Sequence, residues 1–571
     1  MFQADDTSIA VFAGNTWGGG GTVNWSASLQ TPGYVRKEWA SRGLPFFTSS
    51  EYQDCLDHVC NRMGVSTDHI RHNKSNATLL EGARRLGYNA KLVPQNTGGN
   101  EHYCGYCTYG CGACEKQGPV VSFLPDAARA GATFVEGLDV HEVLFEKTKS
   151  KRGRVGKKAV GVRATWTSRD AHGGVADPSS RTTRAVTIRS KAVIVSAGSL
   201  QSPLLLLRSG IRNRNVGRHL HLHPTAILGA TYDEEVRPWE GGIITALVNE
   251  FENLDGHGHG VKLESCLMLP GAWLALLPWG TALNANTTVN NNPSAKQSEV
   301  KQIRGSAAFK LAAARMRHTV SYIALTRDRD GGQVYPDKTA TSVTPPESTY
   351  KNSTSTSTDT SSRSNGISNA PPRLKYTPSA FDRRHTLEGI IALAKIQFAA
   401  GAREIFLAVP GAPAPFVRRG DVNNNNESTS LDPSQTQESR RTADEDVKNF
   451  DVFLAALRSF GLPSPNTGFV SAHQMSSCRM SSSPADGVVD ARGRVWGVGG
   501  DPDVNTDGSG DEDIGSLYVA DASILPSASG VNPMISTMGT AEGVARGIVR
   551  DLEVVMRGRR HKGTRVERAR L

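Results

Sequence analysis

The stretch Leu517-Tyr518-Val519-Ala520-Asp521-Ala522-Ser523-Ile524-Leu525-Pro526, followed by Gly530-Val531-Asn532-Pro533-Met534-Ile535-Ser536-Thr537-Met538, decides how this chain is read. An apolar strand ends on an acidic residue, a short loop carries Asn532 beside Pro533, and a small-residue helix starts at once. That order presents polar groups at the carboxyl end of a sheet strand, where open α/β sheets bind ligands. A second unit has the same form. The β-branched run Ala192-Val193-Ile194-Val195 meets the turn Ser196-Ala197-Gly198-Ser199 and then a helix carrying Leu204 to Leu207. Such runs read as strands of a buried parallel sheet, so the predicted class is α/β. Val140 to Phe145 reads as a strand followed by a polar, Arg-rich excursion up to Ala192, Ser321 to Asp328 as a strand entering a turn, and Leu387 to Ala399 as an amphipathic helix ending at Gly401.

A chain of 571 residues has room for two or more domains. Its hydrophobic fraction of 38% is low, and much of the shortfall is local. Residues 340–369 are mostly Ser, Thr and Asn, 284–299 and 423–439 are similar, and 499–513 are rich in Gly and Asp. Segments of that composition bury too little apolar area to offset chain entropy, and they read as disordered surface insertions. The net charge of +10 is concentrated partly in the tail Arg557 to Arg565, with no nucleic-acid motif beside it. A solvated tail is the plain reading, and a membrane-surface contact is the other. The run Cys266 to Leu283 is apolar but interrupted by Pro270 and Pro278, so it reads either as a lipid-facing lid over an apolar channel or as a buried loop. The N-terminus shows no signal pattern, which makes the sequon Asn76-Ala77-Thr78 a chance occurrence.

Upstream of the opening stretch lies Ser471-Ala472-His473-Gln474-Met475-Ser476-Ser477-Cys478-Arg479-Met480. A His near its ordinary pKa can take a hydroxyl proton, and a neighbouring amide can hold the same oxygen without competing as a base. His473 and Asn532 have those properties. The chain begins with the apolar run Ile9 to Phe12 and then Gly14-Asn15-Thr16-Trp17-Gly18-Gly19-Gly20-Gly21-Thr22-Val23-Asn24-Trp25. Four consecutive glycines let the backbone approach a flat or anionic ligand closely. Between these ends lie the cysteines Cys104, Cys107, Cys111 and Cys114, two Cys-x-x-Cys pairs that could supply four thiolates. The alternating histidines of His219-Leu220-His221-Leu222-His223-Pro224 also invite a metal reading.

Together these segments resemble the glucose-methanol-choline (GMC) flavin oxidoreductases. The cysteine segment resembles the corresponding box of the long-chain fatty alcohol oxidase branch, in which the box implies no metal, so reduced structural thiols are expected ahead of a metal site or a redox disulfide. The His219 to Pro224 segment resembles a family box that leads into the substrate domain. The resemblance implies an FAD-binding domain from residues 1–224 and 466–556, an α+β substrate-binding domain at 225–465, and a basic tail at 557–571. It implies flavin contacts from Gly19, Gly20, Asn24, Val140, Ala197, Asp521, Ala522, Pro533 and Met534. His473 would be the general base and Asn532 the oxygen holder, in oxidation of a long-chain primary alcohol to the aldehyde with dioxygen becoming hydrogen peroxide. A flavin dehydrogenase passing electrons to a quinone or an iron–sulfur relay is the second reading, and an inactive fragment or binding protein the third. The ending Ala569-Arg570-Leu571 resembles the peroxisomal Ser-Lys-Leu address, which suits a peroxide producer. The family's Gly-x-Gly-x-x-Gly turn, which holds the FAD pyrophosphate, has no counterpart in this sequence. The expectation is a chain truncated before Met1, with a short and catalytically silent form as the alternative.

Overall fold

The computed structural model describes residues 1–149, 155–174, 176–266, 313–337, 370–419, 433–498 and 516–568, with the single positions 269, 271 and 310. Outside these lie most of the apolar run 266–283, the polar stretches 284–299, 340–369 and 423–432, the stretch 499–513, and Ala569-Arg570-Leu571.

The larger core is built on a ten-stranded sheet. Its main path runs Phe2–Gln3, Ile9–Val11, Phe469–Ser471, Thr225–Thr231, Thr319–Thr326, Val261–Ser265, Ala246–Val248 and Ala90–Leu92, with Glu404–Leu407 and Phe416–Val417 attached beside Thr225–Thr231. Pairing is antiparallel except between Phe469–Ser471 and Ile9–Val11. Thr319–Thr326, expected as a strand over 321–328, is buried at every position. Both of its faces therefore need cover. The helix Ala380–Ala399 covers one of them with Ile390, Leu393, Ala394 and Ile396, each worth about 1.5–3 kcal/mol for the larger side chains. Sequence reading started this helix at Leu387; Ser379, whose Oγ accepts the Asp382 N–H at 3.2 Å, caps it seven residues earlier. Gly389 lets the helix lie close, because a Cβ there would sit 2.8 Å from Val261 Cγ2 and 2.9 Å from Ala324 Cβ.

The second core gathers Trp39, Phe47, Tyr52, Leu56, Val195, Leu206, Leu517, Val519 and Ile535. Trp39, Phe47 and Tyr52 meet edge to face at centroid separations of 4.7 and 5.0 Å. Val193–Val195 and Leu517–Val519 form the expected parallel pair, in register from Leu517↔Val193 to Val519↔Val195. The segment between 145 and 192, expected as a polar excursion, carries two strands instead. Leu138–Lys149, Val155–Thr167 and Thr183–Arg189 form an antiparallel meander. Thr183–Arg189 has no buried residue, so its polar composition hid a strand that is held by backbone pairing at the sheet edge.

Strands from residues 2–11, 90–92 and 469–471 thus share one sheet with those of 225–417, and both ends of the chain meet again in the second core. No helix among the described residues is long and apolar enough to cross a membrane.

Candidate active site

The site lies where the Phe469–Ser471 strand leaves the large sheet. Ser471 Oγ donates to Leu222 O and accepts the His473 N–H at 3.0 Å, which fixes the exit of the chain. The segment then runs beside residues 219–223, with reciprocal His221–Met475 backbone bonds of 3.0 Å. This brings His473 Nδ1 to 3.1 Å from Nδ1 of the fully buried His223. His223 Nε2 in turn accepts the Gly530 N–H at 3.1 Å. Asn532 stands two residues beyond Gly530. The two residues singled out for chemistry are therefore linked through a histidine and a glycine that sequence reading did not assign to the site.

These bonds determine tautomers. A backbone N–H can only donate, so His223 Nε2 carries no proton and the neutral His223 ring is protonated on Nδ1. His223 Nδ1–H then donates to His473 Nδ1, and the neutral His473 ring keeps its proton on Nε2. Burial holds the His473 pKa down to about 4, against a smaller upward pull from Asp328, and burial with the neighbouring His473 holds His223 well below its ordinary value.

Asp328 anchors the group from behind. Its carboxylate accepts the N–H groups of Leu222 at 2.9 Å and His223 at 3.1 Å, together with the Tyr376 hydroxyl at 2.9 Å, and lies 3.3 Å from His221 Nδ1. Burial opposes the charge on Asp328, but His221 and these donors outweigh it and keep the carboxyl below its ordinary range.

Glu264, on the buried strand Val261–Ser265, was also missed. Its Oε2 accepts from Asn532 Nδ2 at 3.2 Å, so Asn532 Oδ1 faces away from it. Burial pushes the Glu264 carboxyl up to about 7, with Asn532 and Lys262 pulling weakly the other way. Among the described residues Glu264 Oε1 and Asn532 Oδ1 are buried acceptors without a protein donor. The signal was present as charges at Lys262 and Glu264 inside a run that otherwise reads as buried strand.

The residues expected around a flavin fall into three groups. Asn24 and Met534, 510 positions apart, touch: Asn24 Nδ2 lies 2.8 Å from Met534 Sδ. Asn24 Oδ1 is buried and unpartnered, and Gly19 and Gly20 open onto free space, with nothing within 4 Å of a Cβ at either. Pro533 precedes the helix Met534–Arg568, whose first N–H groups lack intrahelical partners by geometry. Asp521 binds the turn at Ala197 and Gly198, where it accepts the Gly198 N–H at 2.9 Å and the Ser202 hydroxyl, and its other oxygen takes the Ser523 N–H at 2.8 Å beside Ala522. These three donors hold Asp521 in the turn, and a carboxylate with about four acceptor sites keeps room for a further donor. Val140 stands apart on the meander, paired with Ala164 and packed against the second core.

Among the described residues no group of three or more His, Cys, Asp or Glu side chains is arranged to hold a metal ion. The four cysteines of the 104–114 segment are all free thiols.

Residues 1–225 match an N-terminal family profile described as GMC oxidoreductase, and residues 353–500 match the C-terminal one. The chain belongs to the GMC oxidoreductase family. Its GMC relatives include long-chain-alcohol oxidase FAO3 of Arabidopsis thaliana, 29% identical over 556 residues, and FAO4B of the same plant, 30% identical over 558. Each alignment takes in 96% of this chain but 60% of the relative, so the chain spans about three-fifths of their length. The fold is that of solved GMC oxidases. A formate oxidase of Aspergillus oryzae superposes with a TM-score of 0.53 at 13% identity, over 95% of this chain and 85% of that one.

The GMC cofactor is FAD. The open glycines and the orphaned Asn24 and Asn532 oxygens fit the ring side of such a group, and the helix start at Met534 offers it free N–H donors.

Proposed function

We propose that the protein oxidises long-chain primary alcohols to aldehydes, with dioxygen as the electron acceptor. The observation that carries this reading is a chain of bonds from His473 through His223 to Gly530, two residues before Asn532, which itself binds Glu264. His473 offers Nε2–H, while Asn532 Oδ1 and Glu264 Oε1 are buried without a donor. A hydroxyl group can accept from the His473 N–H and give its single proton to one of the two acceptors. The names of the plant relatives support the substrate class.

Bound FAD supplies the acceptor for the hydride that leaves the carbinol carbon. The chain's own residues hold and deprotonate the hydroxyl. Sequence reading gave the proton to His473; the bond chain from Gly530 favours another division of labour. For His473 to be a base at Nε2 its proton must move to Nδ1, which sets two N–H groups against each other unless His223 gives up its Gly530 bond. Glu264 needs no such change, and a carboxyl near 7 is matched to neutral pH while an imidazole near 4 is a weak acceptor. We therefore assign the hydroxyl proton to Glu264, with His473 donating to the oxygen and Asn532 orienting it.

The test is a peroxide assay with alcohols of graded chain length on FAD-loaded protein. His473→Ala and Asn532→Ala each lower kcat by about a hundredfold or more. The acidic limb of the kcat profile, near pH 7, disappears in Glu264→Gln and survives in His473→Ala. The reverse pattern returns the base to His473, and flavin reduction by alcohol without peroxide formation moves the protein to the dehydrogenase reading.

A further inference from the structure

The cysteine segment has no part in this chemistry, yet it is tied to the flavin loop. Lys116 is 3% exposed, and its Nζ donates to Asn24 O at 2.6 Å. Next to Asn24, Trp25 Nε1 donates to Thr108 Oγ1 at 2.9 Å inside the cysteine segment. Among the described residues no carboxylate pairs with Lys116. Burial holds the Lys116 pKa below its ordinary value, and the thiols of Cys107, Cys111 and Cys104 pull it back up. Its ammonium is thus held by a backbone carbonyl beside a cysteine cluster, where an anionic sulfur would be stabilised by it.

The thiols differ. Cys107 is buried, with Nε2 of His102 3.7 Å from its sulfur, and burial pushes its pKa up, the condition of an inert structural thiol. Cys111 is half-buried and its Sγ accepts the backbone N–H of Lys116 at 3.4 Å. Cys114 is exposed. Its N–H donates to Cys111 O at 3.1 Å, closing a turn that holds the two α-carbons within about 7 Å, the reach of a disulfide. Cys114 also adopts φ +55°, a left-handed conformation that a side chain other than glycine's enters at a cost.

We propose that Cys111 and Cys114 are a dithiol oxidised by hydroperoxides, and that their disulfide loosens the hold of Lys116 on the Asn24 loop. The Cys111 thiolate attacks a peroxide oxygen. The S–O bond forms as the O–O bond breaks, and the leaving oxygen departs as water after taking a proton. The Cys114 thiol then attacks the Cys111 sulfenic sulfur, the S–S bond forms, the S–O bond breaks, and a second water leaves. Two thiols lose two electrons to one hydrogen peroxide. The inference rests on the proposed oxidase reaction only for the source of peroxide, and added peroxide tests it whether or not that reaction occurs.

The full chain is treated with a few equivalents of hydrogen peroxide, free thiols are counted, and peptides are mapped by mass spectrometry. Two thiols are lost, joined as Cys111–Cys114, and dithiothreitol restores them. Cys114→Ser instead stops at a sulfenic acid on Cys111 that dimedone traps, and Lys116→Met slows the loss at least tenfold. Trp25 emission, read as the difference from Trp25→Phe, shifts on oxidation of the parent but not of Cys111→Ser. A Cys104–Cys107 disulfide, or a Cys111 rate no faster than glutathione at the same pH, overturns the dithiol. A Cys111–Cys114 disulfide with no change at Trp25 overturns the coupling.

Discussion

At Glu264 a single proton carries a stability consequence apart from catalysis. The unfolded chain releases that proton near 4.5 and the folded chain keeps it to about 7, so the folded state is favoured below 4.5 and the advantage fades as pH rises through 7. Glu264→Gln has no proton to lose. Relative to the parent, the variant is expected to gain up to about 3 kcal/mol between pH 5 and pH 8, read as a flatter dependence of Tm on pH. Parallel curves for the two proteins would mean that Glu264 ionises as freely as in water. His473 and Asn532 were legible as polar residues at strand ends next to Pro533 and Met534. Glu264, His223 and Asp328 were not, because their meaning comes from partners 268, 250 and 106 positions away, and local pattern has no reach over that distance.

Asn76 shows the same limit at the level of an element. It sits on the helix Lys74–Arg85, capped by Asn73 Oδ1 accepting the Asn76 N–H at 2.9 Å. Its own amide donates to Gly242 O and Ile243 O at 3.1 Å and accepts the N–H groups of Thr245 and Ala246 at 3.0 Å. One side chain thus completes the backbone of the loop that enters the strand Ala246–Val248. Read in sequence it was a chance sequon; in the fold the side chain is wholly buried, with its amide bonded to backbone groups. Asn76→Leu leaves four backbone groups unpaired and is expected to cost at least about 3 kcal/mol, measured from the urea midpoint. A loss under 1 kcal/mol would mean that water enters and replaces the amide. The long helix Ala380–Ala399 and the strand Thr319–Thr326 were visible because their apolar runs are continuous. The exposed strand Thr183–Arg189 was not, because what makes it a strand is its neighbour.

Across the whole molecule the two cores are fastened at Arg327. This residue, 4% exposed at the end of the central strand, donates to Ala528 O at 3.0 Å and pairs with Glu38 on the helix Gly33–Ser41, which also receives Arg42 at 2.7 Å. Arg327→Met removes one cation and leaves Arg42 to hold Glu38, so the expected cost is about 2–4 kcal/mol, below that of an ion pair with no substitute. Urea unfolding followed by both tryptophan emission and far-UV dichroism should also separate into two transitions in the variant if this link couples the cores. The α/β class and the strand-turn-helix at Val193 were read from sequence, but the sharing of one sheet by residues 2–11, 90–92, 225–417 and 469–471 was not, since strand partners leave no local mark. The contact of Asn24 with Met534 has its own consequence for how this protein is made. During synthesis the glycine loop leaves the ribosome 510 residues ahead of its partner. Until Met534 follows, this side of the pocket stays open, so termination anywhere between the two leaves the glycine loop without its closing contact.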